Sequence, residues 1–391
     1  MREFEIPVLQ DSEVLVRIDA AGVCGSDVHM WKGEDERTPL PIVLGHEGVG
    51  TAVDVKGGKQ YVTGETVKTG DRILWNRGVS CNGCYYCAVL NQPWLCRTRK
   101  VYGINRPLSE PPGLNGCYAE HLVLTASTDI FKIDGEVDPA ILVSASCSGA
   151  TVAHAFDEHR FPYGSVVLIQ GPGPLGAYAV AFARHLGASQ ILVTGGSENR
   201  LQLCTDFGAT AVLNRRTTSV EERREFIFSR TGGRGVDVVV EATGDPSAVH
   251  EGLPLLRPGG AYLSIGFSQP PGNCNVDFFQ EIVRKNVKIQ GVWVSGTRHT
   301  FQALSLIEKQ QKLFGKMITH RFKLDEANEA LAAMESREAL KAVLIPQAKL
   351  TGRQGGQNGP KFPHGHPNTR PGASYEAFFH QDRPEGRSNL L

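Results

Sequence analysis

Four cysteines, Cys81, Cys84, Cys87 and Cys96, follow a C-x2-C-x2-C-x8-C spacing that gathers four thiolates within sixteen residues. Tetrahedral zinc takes four soft ligands at about 2.3 Å, and a short loop can wrap one ion and leave no open position. A site closed in that way holds structure and does no chemistry. A redox pair would leave two of the cysteines unexplained. A nucleic-acid finger is disfavoured by charge, because 41 Lys plus Arg balance 41 Asp plus Glu and give no basic field.

A second set is scattered: Cys24 in Gly22-Val23-Cys24-Gly25-Ser26-Asp27-Val28-His29, His46-Glu47 in Gly45-His46-Glu47-Gly48, and Cys147. Taken singly, Cys147 reads as a buried small apolar residue and His46 as a core or surface histidine. Together they offer two thiolates and an imidazole, leaving a fourth zinc position for water or substrate, as catalytic sites require. Asp27 is placed to accept the proton of the other ring nitrogen of His46 and so fix its tautomer. Such an ion acts as a Lewis acid on a substrate oxygen and lowers the pKa of an alcohol. Ser26, two residues beyond Cys24, is placed to take the released proton.

The third constellation is Gly171-Pro172-Gly173-Pro174-Leu175-Gly176, a G-x-G-x-x-G run between the apolar stretch 166–170 and a helical pattern through Tyr178, Phe182 and Leu186. Strand before and helix after are the context in which missing side chains let the backbone approach a pyrophosphate at the helix N-terminus. The alternative is a tight turn in an unliganded α/β domain. An acid at the tip of the next strand would bind the ribose hydroxyls of NAD. Here the tip reads Val193-Thr194-Gly195-Gly196-Ser197. Gly195 leaves room, Ser197 offers a hydroxyl and Arg200 a guanidinium suited to phosphate, which slightly favours NADP over NAD. Glu198 argues the other way.

These groups must be positioned by two kinds of element. Residues 14–125 read as short strands between Gly- and Pro-rich turns. From about 149 strands alternate with helices, the pattern of a parallel sheet with crossovers. Strands are expected at 166–170, 190–194, 211–213, 237–241, 261–265 and 287–294, enough for a complete doubly wound dinucleotide-binding unit. Beyond 298 the expected order is a helix at 301–312, a strand near 318–322, a helix at 325–334 and a strand at 340–345. Residues 347–391 are rich in Gly, Pro, Asn, Gln and Arg and read as a disordered tail. The first residues carry no apolar leader, and no apolar run reaches the roughly 18 residues of a membrane helix. The expected setting is therefore the reducing cytoplasm, where clustered cysteines bind metal, with neither membrane nor nucleic acid as a partner.

In this order, the two cysteine sets and the Gly-rich loop resemble the zinc-containing medium-chain dehydrogenase family, which includes alcohol, sorbitol, xylitol, arabinitol and threonine dehydrogenases. The resemblance covers residues 5–346. It implies an α/β protein with a GroES-like β-rich catalytic domain over 1–148, a doubly wound Rossmann NAD(P)-binding domain over 149–297 and a return to the first domain over 298–346. Cys24, His46 and Cys147 match the family's catalytic zinc ligands, Glu47 an acid that approaches the metal during ligand exchange, and Cys81, Cys84, Cys87 and Cys96 its structural zinc loop. The implied activity is hydride transfer between an alcohol, or its ketone or aldehyde, and NAD(P), with two zinc ions per chain. The implied proton path runs from Ser26 through the cofactor ribose to His29. In this family the edge strand, here 287–294, often pairs with a second subunit, which implies a homodimer or homotetramer.

Several features depart from the family pattern. The loop before Cys96 is one residue longer than usual. Cys147 stands where polyol and threonine dehydrogenases often carry Glu, yet the stretch from Cys24 to His29 followed by Trp31 looks like the polyol branch. Members usually extend further before the strand at Val14, which leaves Met1 open as the natural start. The rival readings are a polyol- or threonine-type dehydrogenase and, outside enzymology, a non-catalytic dinucleotide-binding relative.

Overall fold

The computed structural model describes residues 1–346, the backbone of 374–380, and the side chains of Ala377 and Phe378. The chain forms two compact units, one from residues 1–81, 97–143 and 320 onward, the other from 82–96 and 144–319.

The first unit opens with β1 (Arg2–Glu5), β2 (Val14–Val23), α1 (Gly25–Trp31), β3 (Ile42–Val43), β4 (Glu47–Val55) and β5 (Arg72–Trp75). It continues with β6 (Gly78–Val79), β7 (Lys100–Val101), β8 (His121–Leu124), β9 (Ile130–Lys132) and the short α2 (Pro139–Leu142). The second unit runs α3 (Ser148–Glu158), β10 (Val166–Gln170), α4 (Pro174–His185), β11 (Gln190–Gly195), α5 (Glu198–Phe207), β12 (Ala211–Asn214) and α6 (Val220–Arg230). It closes with β13 (Val236–Glu241), α7 (Pro246–Leu255), β14 (Leu256–Ser264), β15 (Lys288–Gly291), α8 (Thr297–Lys309) and α9 (Gln311–Gly315). The chain then returns to the first unit with β16 (His320–Lys323), α10 (Ala327–Glu335), β17 (Ala342–Ile345), β18 (Ser374–Ala377) and β19 (Phe379–His380).

In the first unit a seven-stranded sheet has the order β16-β17-β2-β4-β5-β9, with β8 also on β2. β2 is buried along most of its length, because β17, β4 and β8 all pair with it. In the second unit six parallel strands follow the order β12-β11-β10-β13-β14-β15. The all-apolar centre of β10, buried at every residue, is what a strand covered on both faces requires. The order reverses between β10 and β13, and ligands of open α/β sheets bind outside the strand ends at such a switch.

The boundaries differ from those expected at 148 and 297. Trp94, from the cysteine-rich segment, packs 4.7 Å from the His154 ring on α3 and 5.0 Å from the His299 ring on α8, and the two histidines stack at 4.5 Å. Burial, with His154 alongside, holds His299 down at about 3. The rings therefore stack without charge. This packing joins segment 82–96 and α8 to the parallel-sheet unit, and α9 joins it through Phe314, which packs on Tyr178 and Phe207.

Two further expectations are corrected. The last sheet strand ends at Gly291 rather than 294, because Val294 turns to φ 59°, a conformation that β-branched residues rarely adopt. Its carbonyl accepts a hydrogen bond from His154 Nδ1 at 2.9 Å. In the supposed disordered tail, residues 374–380 form β18 on β1 and β19 on β3. Ala377 is fully buried with Leu9, Leu15, Val43, Leu114, Ala119 and Val123, and Phe378 packs on Tyr118. An average over a polar segment does not register seven residues whose strand pairing comes from distant partners. The rest of the tail lies outside the described residues. Among the described residues no single helix is long and apolar enough to cross a membrane.

Candidate active site and dinucleotide crevice

Cys24 ends β2 and caps α1. Its N–H donates to Asp27 Oδ2 at 2.8 Å, while Asp27 Oδ1 lies 3.0 Å from His46 Nδ1. One fully buried carboxylate thus orients two of the expected ligands and leaves His46 Nε2 as the coordinating nitrogen. Cys147 caps α3, its N–H donating to Ser144 O at 3.2 Å. The ligand atoms of Cys24, His46, Glu47 and Cys147 all lie within 4.8 Å of one another. Two sulfurs, an imidazole and a carboxylate form a donor set suited to zinc. Burial opposes protonation of His46, but the Asp27 carboxylate and Cys24 outweigh it and raise its pKa to about 9. That pull on a proton is equally a pull on a metal cation.

Glu47 is held from behind. Lys341 Nζ lies 2.5 Å from Glu47 Oε2 and donates to Val23 O at 3.1 Å, with both side chains buried. Burial pushes the Glu47 carboxyl upward while Lys341 pulls it down. The sequence reading did not single out Lys341, although a lysine inside the apolar run Leu340-Lys341-Ala342-Val343-Leu344 must find a partner when buried. Cys117, also buried nearby, is not part of this cluster; burial and the Asp27 and Glu47 carboxylates hold its thiol well above its usual range. Ser26 and His29 lie three residues apart on α1 and share one face. Both are partly exposed, and His29 Nδ1 contacts Glu34 Oε2 at 2.7 Å.

The sulfurs of Cys81, Cys84, Cys87 and Cys96 form the second cluster within 4.8 Å. Cys84 Sγ and Cys87 Sγ are 3.5 Å apart, near the roughly 3.8 Å edge of a tetrahedron with 2.3 Å bonds. None of them is in a disulfide. Asn82 and Asn91 adopt φ 55° and 53°, the left-handed turns that asparagine tolerates best and that a tight wrap needs.

In the parallel-sheet unit, Gly171 at φ 107° turns the chain out of β10, Gly173 caps α4, and Pro174 takes its first position. Gly176 must be glycine, because a Cβ there would run into the Gly171 carbonyl, whereas one on Gly173 would meet nothing within 4 Å. Leu175 lies in the first turn of α4. A loop braced on one side and open at Gly173 is the cradle a pyrophosphate needs. At the tip of β11 the structure alters one detail: a Cβ on Gly195 would strike Pro172, so Gly195 makes room for the loop rather than for a ligand. Gly196 faces the Arg216 side chain instead, a residue the sequence reading passed over because it follows β12. Ser197 caps α5, with Arg200 in its first turn. Glu198 accepts from Asn214 Nδ2 at 2.8 Å.

Residues 10–135 match the alcohol dehydrogenase GroES-like domain and residues 174–309 the zinc-binding dehydrogenase domain. The chain is 32% identical to 5-exo-hydroxycamphor dehydrogenase of Pseudomonas putida over 87% of this chain and 94% of that protein. It is 29% identical to L-threonine 3-dehydrogenase of Bacillus subtilis over 88% and 94%. An alcohol dehydrogenase structure from Thermotoga maritima superposes with a TM-score of 0.87 at 51% identity, covering 88% of this chain and 95% of that one. A zinc-binding dehydrogenase from Sinorhizobium meliloti, bound to NADP, gives 0.77 at 26% identity, covering 87% and 94%.

Proposed function

Because the chain belongs to the zinc-containing medium-chain alcohol dehydrogenase family, we propose that it moves a hydride between an alcohol or its carbonyl and NADP(H), with Cys24, His46 and Cys147 holding a catalytic zinc. The carrying observation is the convergence of those ligand atoms with Glu47, behind which Lys341 lies. Cys81, Cys84, Cys87 and Cys96 would hold the second, structural ion. When bound, the catalytic zinc would supply Lewis acidity at the alcohol oxygen and the nicotinamide a hydride acceptor. Asp27 keeps His46 in the ligating tautomer. Lys341 holds Glu47 poised beside the ligands without drawing it out of the cluster. Ser26 takes the substrate proton, and His29, whose Nδ1 is turned to Glu34, passes it to solvent through Nε2.

His29→Gln is expected to slow turnover about tenfold near pH 7, less than a first proton acceptor would cost because water can bypass the relay. Added imidazole should restore the rate. An unchanged pH–rate profile would remove His29 from the path.

Support for NADP comes from Ser197, Arg200 and Arg216 around the β11 tip, with Glu198 engaged by Asn214. Arg216→Ala should raise KM for NADP by about ten- to hundredfold, the worth of a charge-assisted hydrogen bond, and leave KM for NAD within about twofold. Equal effects on both cofactors would sink this assignment.

The threonine-type reading is favoured by the relatives of that name. A panel of simple alcohols, hydroxycamphor, sugar alcohols and threonine, run with both cofactors on protein of measured zinc content, decides the substrate class. Absence of any alcohol-dependent NAD(P) reduction by zinc-replete protein would refute the proposal. A homodimer or homotetramer is supported by exposed Ile289 on the edge strand β15 and Trp293 just after it, with Phe278, Phe279 and Val283 exposed in the segment that precedes it. Light scattering giving a monomer mass would contradict it.

A further inference from the structure

Glu241 is the last residue of β13 and is fully buried at the point where strand order reverses. No metal ligand or catalytic step accounts for it. An ionised carboxylate so deeply buried is costly unless donors saturate it, and here they do. Glu241 Oε1 accepts from Thr243 N at 2.5 Å, Thr243 Oγ1 at 2.8 Å and Gly244 N at 2.7 Å. Its Oε2 accepts from Gly266 N at 3.3 Å and Ser264 Oγ at 3.5 Å. One side chain thus gathers the turns leaving two adjacent strands, β13 and β14.

Those turns border the crevice. A Cβ on Gly171, the first glycine of the phosphate loop, would meet Thr243 Cγ2 and the Ala242 carbonyl. One on Gly266 would collide with the Thr243 and Gly244 amides and with Glu241 Oε1. Ala242 N also donates to Gln170 O, at the end of β10. The carboxylate, the Thr243–Gly244 turn and the phosphate loop form one continuous stack. Released from Glu241, the turn's amides would have to find other acceptors, and the turn would move against Gly171.

We propose that Glu241 is a positioning residue for the dinucleotide: its carboxylate pins the exits of β13 and β14 so that the crevice is preorganised before the cofactor arrives. The proposal rests on the dinucleotide-binding reading above. Glu241→Gln keeps size and shape but turns an amide NH2 toward backbone donors, and Glu241→Asp keeps the charge while withdrawing it by one methylene.

The test titrates NADPH and NADH onto zinc-replete protein, following fluorescence of the bound dihydronicotinamide. Turnover at saturating cofactor and the apo-enzyme melting temperature are recorded alongside. Both variants are expected to weaken NADPH about tenfold or more, as lost charge-assisted hydrogen bonds would, with kcat within about threefold of the parent and zinc content unchanged. Unchanged dissociation constants in both overturn the proposal. So does a lower melting temperature and folded fraction with normal affinity per folded molecule, which would assign Glu241 to folding alone. Parent protein that binds neither NADPH nor NADH would instead sink the dinucleotide reading and this proposal with it.

Discussion

Cys24→Ser is expected to lower kcat/KM at least about a thousandfold, roughly 4 kcal/mol of transition-state stabilisation, while cofactor affinity stays near that of the parent. The loss follows from the donor set. A serine hydroxyl at neutral pH is a far poorer zinc ligand than a thiolate, and the remaining partners cannot close round the ion in its place. His46→Ala should be as inactive but less stable, because the fully buried Asp27 loses its His46 partner and keeps only the Cys24 N–H among the bonds that tied it to the ligands. Comparing the two separates chemistry from folding. Metal analysis should find one zinc fewer per chain in both, and NADPH titration should show the crevice intact. Retention of more than about a tenth of parental kcat/KM in Cys24→Ser would exclude Cys24 as a catalytic ligand.

Cys84→Ser should fail in the opposite way, through stability. Structural zinc in finger peptides contributes apparent binding energies of about 10–16 kcal/mol at neutral pH, and here the ion would organise a segment with little apolar core of its own. Tyr85, Val89, Leu90 and Leu95 are all exposed. Trp94, wedged against His154 and His299, fixes the segment by packing. A loss of several kcal/mol corresponds to a drop in melting temperature of about 5 °C for a protein of this size. Zinc should fall by one equivalent, and residual activity should persist at low temperature. A normal melting curve with normal zinc content would contradict a four-cysteine site.

What could be read from the sequence was what is local. The cysteine spacing, the Gly-rich loop with its flanking strand and helix, and the Asp27–His46 pairing each lie within a short stretch or between residues whose chemistry demands a mate. Misplaced features depended on partners far along the chain. Lys341 reaches Glu47 and Val23 across almost the whole sequence, Arg216 approaches Gly196 from the turn after β12, and residues 374–380 become strands only because β1 and β3 offer edges. Val294 broke an apolar run that pattern alone extends, since its bond to His154 is invisible in local composition. Helices α8 and α9 follow the parallel sheet rather than the return because α8 stacks His299 against α3 and α9 packs Phe314 on Tyr178 and Phe207. Glu241 carried a faint signal, an acid ending a buried strand just before Ala242-Thr243-Gly244, but only the fold shows what it gathers.

The pairing of β1 with β18 sets an order of events during synthesis. Arg2 lies opposite Ala377, so β1 must wait for the residues up to β18 to be made, a delay of roughly 20–75 s at about 5–20 residues per second. β2 waits nearly as long, since its neighbour β17 begins at Ala342. The six-stranded sheet is contiguous and has all its strands once Gly291 has left the ribosome. The nucleotide-binding half can therefore settle first, while Cys24, His46 and Glu47 belong to a sheet that is still missing an interior strand. Lys341, which seals the back of their cluster, comes late. Until β17 has been made, Glu47 lacks the cation that stands behind it in the folded protein.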